Sequence, residues 1–142
     1  MNQTISKFGY PDSLIKEYEH WVVLLRPAQA SIGALILACK DPATRFSDIS
    51  ADAFKELGQA VSDLESALGG NFSYQRLNYL MLMMVDPDVH FHVLPRYESQ
   101  QTFLDTTFTD PGWPGPPNVA HDNEADAATM AELLATLKKA FD

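Results

Sequence analysis

Cysteine occurs once in the 142 residues, at Cys39, so no disulfide can close within the chain and its cysteine usage does not call for an oxidising compartment. Positive charge is scarce as well. Ten Lys and Arg stand against 19 Asp and Glu, a formal net charge of −9, which argues against a nucleic-acid backbone or an anionic membrane surface as the main partner. Small solutes remain compatible with that balance, because local positive charge can coexist with a negative surface. No apolar run approaches the ~20 residues of a membrane-spanning helix, and no basic segment followed by an apolar one opens the sequence. No internal repeat is visible. The expected location is the cytoplasm.

What is present is enough apolar material, 46% of residues, for one hydrophobic core, and the expectation is a single domain over residues 1–142. In "DSLIKEYEH", Leu14, Ile15 and Tyr18 fall at helical spacing and predict a helix over 12–20. "HWVVLL" then predicts a strand ended by Arg26-Pro27. "SIGALILACK", residues 31–40, predicts a second strand, paired with the first as a hairpin across "RPAQAS". Phe54, Leu57, Val61, Leu64 and Leu68 recur at steps of three and four. They predict an amphipathic helix over 51–68, capped by Ser50 and ended by Gly69-Gly70.

"RLNYLMLMMV" (76–85) and "VHFHVLPRY" (89–97) flank Asp86-Pro87-Asp88, a composition that favours a tight reversal between two central antiparallel strands. Residues 109–117, "TDPGWPGPP", hold four of the nine prolines and predict an ordered loop or a linker. The chain closes with a predicted helix over 123–141, acidic at its start and carrying Lys138 and Lys139 at its end, as the helix dipole favours. The fold class expected is α+β: a central antiparallel sheet of about five strands, with helices packed on one face.

The chemistry concentrates in "DVHFHV". Side chains two apart on a strand share a face, so Asp88, His90 and His92 are expected to project together while Val89, Phe91 and Val93 project the other way. The wholly apolar opposite face and the strand's central place in the chain favour a groove over plain solvent exposure. His-x-His on a strand is also a pair of metal ligands, with Glu98 six residues on. That pattern belongs to all-β double sheets, however, and the two long helices predicted here weigh against it. His20 and His121 stand alone and read as structural or exposed.

"DVHFHVLPRY", with the order of "GALILACK", the helix over 51–68, "NYLMLMMV" and a Trp-Pro segment, resembles the histidine triad superfamily over roughly residues 18–117. The resemblance implies nucleotide hydrolysis or nucleotidyl transfer. His90, at the place of the motif's middle histidine, would attack the α-phosphorus of a nucleoside phosphate derivative and hold the nucleotidyl group covalently. His92, at the place of the third, would bond a phosphate oxygen or protonate the leaving group. It implies further that no metal or cofactor is needed and that two chains form a homodimer.

The sequence departs from the family pattern at four places. Asp88 stands for the first histidine, Ala34 for the second-strand histidine, and Arg26 for the ribose-binding carboxylate or amide. "MMVDPD" stands for the Gly-rich phosphate segment. Substrate contacts are therefore expected from Arg26, Gln29, Asn78, Arg96 and Trp113. The alternative reading is a catalytically degenerate nucleotide-binding or scaffold protein on the same fold.

Overall fold

The computed structural model describes all 142 residues. Its elements are α1 (Gln3–Lys7), β1 (Leu14–Glu17), β2 (Trp21–Leu25), β3 (Leu35–Cys39), α2 (Ala51–Asn71), β4 (Arg76–Leu80), β5 (His90–Arg96), a β6–β7 hairpin (Gln101–Phe103, Thr106–Phe108) and α3 (Ala127–Ala140). β1 to β5 form one antiparallel sheet in the order β1-β2-β3-β5-β4. The expected α+β class and five-stranded sheet are those observed. No helix is long and apolar enough to cross a membrane.

One face of the sheet carries the main core: Trp21, Val23, Leu25, Leu35, Leu37, Cys39 and Val93 meet Ala53, Ala60, Leu64 and Leu68 of α2 and Leu133 and Leu137 of α3. Ser50 caps α2 through a bond from Ala53 N–H, and Asp126 caps α3 through Thr129 N–H, so both starts follow from local chemistry. The opposite face is not left open. Ile5 of α1 packs on Val22, Leu24, Ile36 and Ala38, with Phe8, Tyr10 and Leu14 beside it.

Several expectations are corrected. Where a helix over 12–20 was expected, Leu14–Glu17 form the edge strand β1, because Ile15 packs into the main core and Leu14 against the opposite face. A strand covered on both sides shows consecutive apolar residues and so imitates one turn of a helix. α2 runs through Gly69-Gly70 to Asn71, and α3 begins at Ala127 instead of 123. β3 begins at Leu35, since Ser31–Ala34 belong to a connection in which Gly33 takes φ +87°. β4 stops at Leu80 and is an edge strand, and residues 81–89 form a long loop where a tight reversal was expected.

Candidate functional site

β5 is central, between β3 and β4, and its register sets His90 opposite Ala38 and His92 opposite Ile36. Both imidazoles therefore emerge on the face covered by α1, and both are buried. Phe8 lies over the pair, its ring centroid 5.9 Å from His90 and 5.7 Å from His92, and the two imidazoles are 5.2 Å apart. A cavity of about 140 Å³ adjoins them, walled by residues 82–86. Met83 in that wall has φ +50°, the left-handed conformation that glycine takes without cost and other residues seldom adopt.

The hydrogen bonds assign the two tautomers. His90 Nδ1 lies 2.6 Å from the carbonyl oxygen of Asp88. A carbonyl can only accept, so Nδ1 carries the proton and Nε2 presents a lone pair. At His92 the reverse holds. Arg26 Nε–H donates to His92 Nδ1 at 3.2 Å, and a guanidinium cannot accept, so the proton of His92 sits on Nε2. Burial, then the positive charge of Arg26, then His90, push the His92 pKa down from 6.5 to about 4. The two tautomers set a lone pair at His90 Nε2 beside an N–H donor at His92, whose ring is uncharged at neutral pH.

Asp88 lies just before β5, on the same side of the sheet as the histidines but outside the lining of their cavity. Its carboxylate turns to α1, accepting from Thr4 N–H at 3.3 Å and from the Thr4 hydroxyl at 2.9 Å, while its backbone carbonyl orients His90. Asp86, two residues before it, pairs with Lys7 at 2.8 Å. Helix α1 is thus tied to the loop over the histidines at two points. Ile5, Phe8, Thr4 and Lys7 were missed in the sequence because a five-residue helix carries too few positions to show a period.

The expected substrate contacts divide into two groups. Arg26 reaches His92, but its other nitrogens donate to the carbonyls of Ala28 and Val119. Gln29 is not at the site: its amide bonds Arg26 O, Ala34 O and Gly33 N–H and closes the β2–β3 connection. Arg96, Asn78 and Trp113 gather farther along, four residues beyond His92 on β5, or roughly 13 Å at strand rise. There Arg96 grips Asp110 at 2.7 and 3.2 Å, Asn78 Oδ1 at 2.8 Å and Gly115 O at 3.0 Å, binding the Pro-rich loop that carries the half-buried Trp113.

The family model described as HIT domain matches residues 8–99. No curated protein matches the chain. Among solved structures, a histidine triad protein from Bradyrhizobium japonicum superposes with a TM-score of 0.77 at 18% identity, covering 100% of this chain and 97% of its own. One from Marinobacter aquaeolei does so with 0.77 at 18%, covering 99% and 94%. A hypothetical histidine triad nucleotide-binding protein from Sulfolobus tokodaii gives 0.68 at 16%, covering 91% and 83%. At these identities the likeness is one of fold.

Proposed function

The chain belongs to the HIT domain family, whose members bind nucleotides, and on that premise we propose that it is a cytoplasmic nucleotide hydrolase or nucleotidyl transferase, a single domain acting at the α-phosphate of nucleoside phosphate derivatives. The observation that carries this reading is the 2.6 Å bond from His90 Nδ1–H to Asp88 O. It holds the ring in the tautomer that a nucleophile needs, and it survives the replacement of the family's first histidine because it uses a backbone atom.

In the first step the lone pair of His90 Nε2 attacks the α-phosphorus and the bond from phosphorus to the leaving group breaks with its electron pair. His92 Nε2–H donates a hydrogen bond to a non-bridging phosphate oxygen. With a pKa of about 4, His92 is a hydrogen-bond donor and a poor proton reservoir at neutral pH, so the leaving group takes its proton from solvent. In the second step water attacks phosphorus, the phosphorus–nitrogen bond breaks, and Nε2 recovers its lone pair as the water proton passes to solvent.

One observation favours the alternative, a degenerate nucleotide-binding protein. The cavity at the histidines is about 140 Å³, below the ~300 Å³ at which ligand pockets begin, with residues 82–86 along it and the Phe8 ring packed on both buried imidazoles. Turnover therefore requires α1 and the 81–89 loop to part. The deciding experiment measures nucleoside monophosphate release from nucleoside phosphoramidates and dinucleoside polyphosphates. Release in wild type, lost in His90→Ala with nucleotide binding retained, is the expected result. An inert wild type that gains activity as Asp88→His makes the chain a degenerate relative, and no turnover in any variant leaves only the binding reading.

A further inference from the structure

A second group of ligating side chains lies away from β5, where the β1–β2 turn meets α2. Glu19, His20 and Glu56 each bring one ligand atom into a cluster in which all lie within 4.8 Å of one another. The backbone there is held firmly. Trp21 Nε1–H donates to Ala53 O at 2.8 Å, His20 N–H to Glu56 Oε1 at 2.7 Å, and the Tyr18 hydroxyl to Asp63 at 2.6 Å. The turn and the helix therefore move as one body, and the bond to Oε1 fixes Glu56 while its other oxygen stays available.

The imidazole of His20 is flanked on both nitrogens. Nε2 faces Glu19 Oε1 at 3.9 Å, and Nδ1 faces Asp41 Oδ1 at 3.9 Å. The second oxygen of Asp41 is anchored by Ser50 N–H at 2.8 Å. At 3.9 Å Asp41 is an ionic neighbour and not yet a hydrogen-bond partner, and a shift of the ring by roughly an ångström on metal binding would bring Nδ1–H onto it, the usual outer arrangement of metal-bound imidazole. Asp52 and Lys55 line the same hollow, so Lys55 is the one cation there beside Glu19, Asp52 and Glu56.

From this geometry we infer that His20, Glu19 and Glu56 form a binding site for a divalent transition-metal cation of the zinc type, with Asp41 as the positioning residue of His20. Ligand distances of about 2.0–2.2 Å place ligand atoms of a tetrahedral ion roughly 3.4 Å apart, so one arm must close in by about an ångström. Glu19, whose side chain is 82% exposed, supplies that movement. Three protein ligands leave one position for water. An imidazole with two carboxylates suits zinc over magnesium, which takes oxygen donors and keeps its waters.

The test is calorimetric titration of the chelator-treated protein with ZnCl₂ at neutral pH, in wild type and in His20→Ala, Glu19→Gln, Glu56→Gln, Asp41→Asn and His90→Ala. One zinc per chain is expected. Affinity should fall about 10- to 100-fold in Asp41→Asn, the usual cost of losing an outer partner, and at least as far in His20→Ala. His90→Ala should bind as wild type does. Glu19→Gln alters an exposed side chain and tests the site even where another variant fails to fold. No saturable binding, binding indifferent to His20→Ala and Glu19→Gln, binding lost in His90→Ala, or equal affinity for MgCl₂ would each overturn the assignment.

Discussion

His90 and His92 are two residues apart on one strand, yet the structure gives them opposite proton placements because their neighbours are of opposite kind. His90 meets a carbonyl that can only accept, and His92 meets a guanidinium that can only donate. A pH effect belongs to this scale. The pKa of His92 is lowered on folding, so between about 6.5 and about 4 the unfolded chain binds the proton that the folded chain refuses. Stability contributed by neutral His92 is therefore whole above about 6.5 and declines as pH falls toward 4. Urea midpoints across that range should drop, and His92 should titrate near 4 by NMR. In Arg26→Gln, which removes the nearby charge, that titration should move up toward 6.5. A His92 titrating near 6.5 in wild type would refute the burial argument. Whether His92 could act as a proton donor was open in the sequence, since no spacing places Arg26, 66 residues earlier, against its ring.

At the scale of elements, the connections depart from expectation more than the strands and helices do. α2 was legible because a helix of three or more turns repeats its apolar stripe often enough to be counted, and β2, β3 and β5 because buried β-branched and leucine-rich runs have few other uses. β1 was not, since partners on both faces erased its alternation. The Pro-rich loop was recognised as a loop, but its clamp was not. Arg96, expected to meet substrate, is a buried half of an ion pair with Asp110, their side chains 5% and 3% exposed. Breaking such a pair leaves an uncompensated charge, so Asp110→Asn should cost about 3–5 kcal/mol in urea unfolding. Spread over the whole chain that is a large share of ordinary stability, about 5–15 kcal/mol. A loss under 1 kcal/mol, the scale of an exposed pair, would mean the clamp is solvated in solution.

For the whole molecule, three of the seven exposed large apolar side chains stand together beside one edge of the sheet. β4 ends the sheet with its outer hydrogen-bonding groups unpaired by another strand. Beside it Leu82, Met84 and Val85 are 45%, 83% and 84% exposed. We predict a homodimer formed across this edge. Light scattering should give twice the mass of one chain, and Leu82→Glu with Val85→Asp should halve it without changing the circular dichroism. A wild-type mass of one chain would remove the claim. By itself the sequence determined the α+β class, the two main helices, the motif strand and the two histidines on one face of it. These depend on residue periodicity and local capping, which act over a few positions. Only the tertiary structure decided that α1 covers the histidines, that Asp88 offers a carbonyl and turns its carboxylate to Thr4, and that Arg26 sets the proton of His92. It also decided that His20 stands between Glu19, Asp41 and Glu56. Most of those contacts span tens of residues, and even the local ones, Asp88 O to His90 and Glu19 to His20, take their geometry from what packs on the sheet, which no local pattern encodes.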